Sequence, residues 1–293
     1  MKLSIVIRTY NEATHIGSLL KGIADQQVDQ NALEVIVVDS GSTDGTLQIA
    51  ESSGVRILHI KKDEFSFGRS LNVGCAAARG DVLVFVSGHC VPASRDWLTE
   101  LITPLGKHSV AYSYGRQMGN EQGYMSECRI FAKYFPPDSR IPQEGFYCNN
   151  ANSALLKTVW QVNRFDEELT GLEDMHLAKS LIRSGHKIAY VASAPVFHIH
   201  NETWAQVKRR FEREAIALQH IMPEIHVSLV DCVRYWISAA SLDLYAAYRE
   251  GALSRRAREI VLYRLMQYWG AYRGNHIHRK LSKHRKEAYY YPR

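Results

Sequence analysis

The chain has 293 residues, of which 46% are hydrophobic and 23% charged. That composition excludes a largely disordered chain and leaves room for one sizeable domain with an appendage, or two modest ones. Its formal charge of +6 suits phosphate-bearing substrates, an anionic surface or plain solubility, and selects none of them. Along the chain, Leu3 to Ile7 reads as a β-branched strand and Thr14 to Gln27 as a helix. Leu33 to Val38 is a second strand, Asp44 to Ser52 a second helix, Val55 to Ile60 a third strand, Leu71 to Ala78 a third helix, and Val82 to Val86 a fourth strand. Continuous apolar strands separated by helices predict an α/β fold with a mainly parallel sheet covered on both faces. Ligands of such sheets bind beyond the carboxyl ends of the strands. Residues 111 to 152 are irregular and rich in Tyr, Gly and Pro, which fits either an acceptor-facing loop region or a surface excursion. Thr158 to Trp160 and Met175 to Ser184 read as helical, and Lys187 to Val191 as a strand.

The character changes after His200. Trp204, Val207, Phe211, Ala215 and Leu218 recur at helical spacing opposite Lys208, Arg209, Glu212 and Arg213. Further helices are predicted over Val227 to Tyr248 and Arg255 to Tyr272, followed by a basic tail. The expected organisation is a domain over 1–200 and a C-terminal helical region over 201–293. Five scattered cysteines form no CxxC pair and read as reduced thiols. The first residues turn polar too soon for a signal peptide, and no apolar run reaches the roughly 18 residues of a membrane span. A cytoplasmic protein is expected, resting peripherally on a membrane at most.

The strand ends carry the chemistry. Arg8-Thr9-Tyr10-Asn11-Glu12 follows the first strand. Asp39-Ser40-Gly41-Ser42-Thr43-Asp44-Gly45-Thr46 follows the second, with Asp39 placed for a ribose or base edge and Ser42, Thr43 and Asp44 reading as helix caps. Together SIVIRTYNE, EVIVVDSGSTDGT and FGRSLNVGCAAARGDVLVFV closely resemble the family 2 glycosyltransferases of GT-A fold, in order and spacing. The resemblance runs over residues 2–92 and resumes from Cys148 to His200. It implies a Rossmann-like nucleotide-sugar-binding domain and an inverting transferase that moves a sugar from a nucleoside diphosphate to an acceptor hydroxyl. It assigns Thr9, Tyr10, Glu12 and Asp39 to the base and ribose, and Arg69 and Asn72 to the neighbourhood of the nucleotide. Arg69 reads equally as a solvated arginine.

The fourth strand end departs from the family. Where relatives carry Asp-x-Asp for a divalent cation, this chain has Ser87-Gly88-His89. A late histidine completes the metal site in several GT-A enzymes, and here His198 and His200 alternate along one strand face. Two readings stand side by side. In one, His89 with His198 or His200 holds a cation, Mn²⁺ fitting imidazole better than Mg²⁺. In the other the site is metal-free, and the histidines stabilise the leaving phosphate as hydrogen-bond donors. A structural histidine is a third reading for any of them. Thr170-Gly171-Leu172-Glu173-Asp174 resembles the family's acidic motif, which makes Asp174 the general base at an ordinary carboxylate pKa. Glu173 would then orient it or contact the acceptor. Asn150 and Asn152 are expected to line the pocket. UDP is the default nucleotide by resemblance, with dTDP and GDP open, and the acceptor is a glycan or lipid-linked glycan of bacterial polysaccharide or glycoconjugate synthesis. The C-terminal helices are expected to pack or to form a homodimer, and the basic end near Lys280 to Lys286 to meet anionic lipid. A catalytically weak or inactive nucleotide-sugar-binding protein is the rival reading, since the Asp-x-Asp is absent. A nucleotidyltransferase is disfavoured by Thr-Tyr-Asn-Glu after the first strand, and a nucleic-acid role lacks any recognisable module.

Overall fold

Leu3–Thr9 (β1) is apolar along most of its length and buried on both faces, as a central strand covered by helices must be. It lies between two parallel neighbours, Leu33–Asp39 (β2) and Val82–Ser87 (β4), with Arg56–His59 (β3) at the edge beyond β2. The sheet then turns mixed. Asn152–Leu156 (β7) runs antiparallel to β4, and Val110–Met118 (β6) antiparallel to β7. Lys187–His198 (β8) is parallel to β6, and Cys90–Pro92 (β5) closes the edge antiparallel to β8. The order is β3-β2-β1-β4-β7-β6-β8-β5, so the expected α/β fold with a mainly parallel mixed sheet is present.

These are features of a computed structural model that describes residues 1–120, 123–277 and 283–291. Two compact units divide the chain. One takes in Met1–Met118, Tyr134–Leu169 and Glu173–Ile199. The other takes in Gly119–Lys133, Thr170–Leu172 and His200–Arg293. The first carries the sheet with helices Ile16–Ala24 (α1), Thr46–Ser52 (α2), Phe67–Ala77 (α3) and Trp97–Ile102 (α4). The second begins with Met125–Tyr134 (α5). Lys157–Val162 (α6) and Glu173–Arg183 (α7) return to the first unit. Trp204–Ile221 (α8), Leu229–Arg249 (α9), Leu253–Asn275 (α10) and Lys283–Tyr290 (α11) complete the second.

Several expectations need correction. The stretch read as irregular contains β6 and α5. In β6 the buried Ser113 and Gln117 break the apolar pattern, yet Ser113 donates to Leu101 O at 2.6 Å and Gln117 is bonded to Asn149 before β7 and to His198 at the end of β8. Helix α3 starts at Phe67, four residues early, capped by Ser66, whose hydroxyl accepts from Arg69 N. Gly68 weakens the helix signal there, but a Cβ would lie 2.1 Å from Asp166 O, so only glycine permits this approach. Strand β8 continues past Val191 to His198. Segments 119–133 and 170–172, read from sequence as part of the first domain, fall in the second unit. The reason is a polar network of long sequence range. Asp243 on α9 accepts from Ser126 Oγ at 2.7 Å, Arg129 Nε at 2.6 Å and Arg264 Nε at 2.7 Å, and Thr170 donates to Arg213 O. In the same unit α8 and α10 approach at backbone distance, since a Cβ on Gly270 would stand 2.3 Å from Lys208 O and one on Gly274 2.2 Å from Glu212 O.

Candidate active site

The parallel register sets Thr9 beside Asp39 and Arg8 beside Ser87, so three strand tips meet at one edge. The loops that leave β1 and β2 are stitched together. Ser42 Oγ accepts from Asn11 N at 2.9 Å, Asn11 Oδ1 from Thr43 N at 2.8 Å, Asp44 Oδ2 from Ala13 N at 3.0 Å, and Thr46 Oγ1 from Glu12 N at 2.8 Å. The capping positions are therefore reassigned. Gly45 holds the N-cap of α2 at a φ of 98°, Ser42 and Thr43 join the two loops, and Asp44 does both, its Oδ1 accepting from Thr46 N at 3.1 Å in the first turn of α2. Asp39 is fully buried, and its carboxylate accepts from Gly41 N at 2.8 Å, Ser42 N at 3.1 Å and Ser42 Oγ at 2.5 Å. It fixes the loop that follows β2. Thr9 is buried, and its Oγ1 makes no hydrogen bond among the described residues. Tyr10 lies under the Lys62 ammonium, 4.8 Å from the ring centroid.

A chain of hydrogen bonds crosses from these loops to β6. His89, at the turn between β4 and β5, sets its Nδ1 2.6 Å from Glu12 Oε1. Pairing of β5 with β8 brings His198 alongside, and the two Nε2 atoms stand 3.1 Å apart. His198 Nδ1 lies 2.7 Å from Gln117 Oε1, and Gln117 Nε2 donates to Asn149 Oδ1 at 2.9 Å. Asn149 Oδ1 also accepts from the Ala151 N–H at 2.9 Å. That main-chain donor fixes the links as far as His198. Asn149 presents oxygen, so Gln117 presents its amide nitrogen there and its oxygen to His198, whose Nδ1 must carry a hydrogen. Glu12 fixes the His89 Nδ1 hydrogen in the same way. When neutral, both imidazoles then turn Nε2 lone pairs on each other, an arrangement that calls for a positive charge between them. A Cβ at Gly88 would crowd the Glu12 side chain, 3.0 Å from its Cγ, so glycine leaves room for Glu12 beside this pair. His200 belongs to the second unit, where its Nδ1 meets Glu127 Oε1 at 2.9 Å.

Asp174 lies in the first turn of α7 and is 6% exposed. Its Oδ2 accepts from Asn150 N at 2.8 Å. Burial, then the adjacent Glu173 charge, push its pKa up to about 7, against the main-chain donors of Asn150 and Met175 and the charge of Arg8. The ordinary carboxylate value expected from sequence is thus corrected: the helix terminus is buried and places two acids side by side. Glu173 accepts from Arg8 Nη1 at 2.9 Å, which ties α7 to the tip of β1. Leu172, just before α7, holds a φ of 55°, a left-handed conformation unfavourable for leucine.

Other expected site residues have protein partners. Asn72 donates to Phe165 O and Glu167 Oε1 and accepts from Trp160 Nε1 and Phe165 N, so it pins α3 to the loop before α7. Arg69 is half-exposed near Glu64 and Glu167, at 3.8 and 4.0 Å. Asn152 is spent on Trp97, Arg116 O and Ala194 O. Asn150 contributes its main-chain N–H rather than an exposed side chain, and Ser87 stands at the end of β4 with its N–H on Ala151 O. Arg8, Gln117 and Asn149 were not singled out from sequence. Only Arg8, a cation closing an apolar strand, left a local signal.

A model of the family described as glycosyl transferase family 2 matches residues 4–157. The O-antigen chain rhamnosyltransferase RfbN of Salmonella typhimurium is 28% identical over 225 residues, 72% of this chain and 70% of that one. The poly(ribitol-phosphate) β-N-acetylglucosaminyltransferase TarS of Staphylococcus aureus is 34% identical over 261 residues, 87% of this chain but 43% of its own, so this chain spans less than half of that relative. Among solved structures, the mannosyltransferase PcManGT of Pyrobaculum calidifontis in complex with GDP-mannose and Mn²⁺ matches with a TM-score of 0.65 at 17% identity, covering 92% of this chain and 84% of that one. TarS residues 1–349 in complex with UDP-GlcNAc match with a TM-score of 0.55 at 18% identity, covering 95% and 93%. At such identities the likeness is one of fold.

Proposed function

The chain belongs to glycosyltransferase family 2, and from that premise we propose that it is an inverting enzyme that moves a sugar from a nucleoside diphosphate to an acceptor hydroxyl, with UDP as the favoured nucleotide. The observation that carries the mechanism is Asp174, a buried carboxylate held by a main-chain donor beside the Glu173–Arg8 ion pair, its pKa pushed up to about 7 by burial and by the Glu173 charge. A base of that pKa is matched to taking a proton from a hydroxyl at neutral pH. As Asp174 takes that proton, the acceptor oxygen attacks the anomeric carbon from the face opposite the leaving diphosphate, and one displacement inverts the centre. Thr9, Tyr10 and Asp39 with its loop receive the nucleoside. The acceptor is a glycan or a lipid-linked glycan, in keeping with relatives named for O-antigen and poly(ribitol-phosphate) substrates.

Negative charge gathers on the diphosphate as the anomeric bond breaks, and preorganised positive charge stabilises it. His89 and His198 are suited to supply it. Their facing Nε2 atoms fit a divalent cation of the kind that accepts imidazole, Mn²⁺ before Mg²⁺. Such a cation, when bound, would neutralise diphosphate oxygens. A proton held between the rings makes the pair cationic without metal. Calorimetric titration of UDP, dTDP and GDP, each with EDTA and with Mn²⁺, tests the reading. Tight binding of one nucleotide with Mn²⁺ alone supports a histidine-held cation, equal binding in EDTA supports the protonated pair, and no binding of any nucleotide overturns the function.

A further inference from the structure

Helix α9 has two faces of opposite fate. Cys232, Ala240, Asp243 and Ala247 are buried in the second unit. On the opposite face Val230 is 75% exposed, Ile237 54%, Leu242 60%, Tyr245 59% and Tyr248 66%. A helix in water normally turns polar side chains outward, so a face with this many exposed apolar side chains marks a surface that meets something else. The stripe is interrupted by cations. Arg234 and Arg249 lie on it, and Arg255 and Arg258 are exposed just past the turn into α10. The charge of the chain is also divided. Residues 200–293 carry seventeen lysines and arginines against nine acids, while residues 1–199 carry slightly more acids than bases.

We propose that the exposed face of α9 docks on the surface of an anionic phospholipid bilayer. Aliphatic side chains would enter the acyl boundary, the tyrosine rings would sit at headgroup level, and the arginines would pair with lipid phosphates. Charge decides against a second copy of this chain as the occupant, since two such basic regions repel each other and an anionic surface attracts both. No described helix is long and apolar enough to cross a membrane, so the contact is along the surface. The inference goes beyond the transfer chemistry and does not depend on it.

The test is sedimentation of the full chain with vesicles of phosphatidylglycerol and phosphatidylethanolamine, and with phosphatidylcholine vesicles. The expected result is at least tenfold stronger partition onto the anionic vesicles, weakened by salt. Ile237→Glu with Leu242→Glu should lower that partition at least tenfold and leave the thermal midpoint and nucleotide affinity unchanged. Arg249→Glu with Arg255→Glu should lower it on anionic vesicles only. The proposal is overturned if the wild-type chain ignores anionic vesicles, or if the double-glutamate variant partitions as the wild type does. It is equally overturned if ultracentrifugation finds a dimer that those glutamates dissociate, for then a second copy covers the face.

Discussion

Asp174 in the first unit and Glu127 in the second are buried to nearly the same depth, at 6% and 4% exposure, yet their acidities move in opposite directions. Burial works against ionisation at both. At Glu127 the charges of His200 and Arg210, whose Nη2 lies 2.6 Å away, outweigh it and hold the carboxyl at about 2. At Asp174 the nearest charge is another carboxylate, and Arg8 is committed to that neighbour. Depth alone therefore does not distinguish a structural acid from a reactive one. What distinguishes them is whether a cation is provided: Glu127 is locked in its ionised form, and Asp174 is poised to exchange a proton.

The comparison can be broken most sharply at Asp174. Asp174→Asn should lower the transfer rate by about 10²–10⁴-fold and leave nucleotide affinity unchanged, as measured by initial rates beside calorimetry. Retained turnover would end the base assignment. The matching change in the second unit acts on stability. Glu127→Ala leaves His200 Nδ1 without its acceptor and Arg210 with only Glu202, 2.7 Å away, and should cost about 1–3 kcal/mol in urea unfolding, whereas a loss well under 1 kcal/mol would mean that the network contributes little. pH then separates the two acids. Asp174 works as a base only when ionised, so kcat/KM should fall about tenfold per pH unit below about 7. An ordinary aspartate would hold its rate down to about pH 4. For stability the signs oppose each other. Glu127 has a lowered pKa, so its contribution is present above 4.5 and is lost as pH falls from there towards about 2. Asp174 has a raised pKa, so its ionisation costs stability as pH rises from 3.8 to about 7. The smallest effect is expected of Glu173→Gln. Removing the adjacent charge should move the acid limb of the kcat/KM profile to lower pH, and an unmoved limb would show that burial alone sets the Asp174 value.

The parallel half of the sheet was legible from sequence because β1, β2 and β4 are apolar runs with both faces covered. Asp39, His89, His198 and the Glu173-Asp174 pair were legible because each stands at a strand or helix end next to a recognisable pattern. The second half of the sheet was not. In β6 the buried Gln117 is satisfied by Asn149 and His198, 32 and 81 residues along the chain, and Ser113 by the preceding helix α4, and no local period announces that. The same holds for Asn72. Its pattern marks a conspicuous position, but its bonds to Trp160 and Phe165 lie about ninety residues downstream. The Asp174 pKa was misjudged because it depends first on burial, which no local pattern announces, and then on the Glu173 charge, which Arg8, 166 residues away along the chain, only partly offsets. The basic end near Lys280 to Lys286 lies partly outside the described residues, and the stronger candidate for a lipid contact is instead α9, which sequence reading expected to be a packed helix.

The four residues that lead into β7 have a consequence for inheritance. The Asn149 side chain orients Gln117 and through it His198, the Asn150 N–H holds Asp174, the Ala151 N–H anchors Asn149, and Asn152 binds Trp97 to the sheet. The histidine proposed to face the departing diphosphate and the carboxylate proposed to activate the acceptor are thus tied to adjacent peptide units. A substitution that displaces this tetrapeptide alters both at once. Variants of the histidine pair and of the base should therefore show epistasis, and a lineage that refits this enzyme to a new donor must find changes that also leave its acceptor chemistry in register.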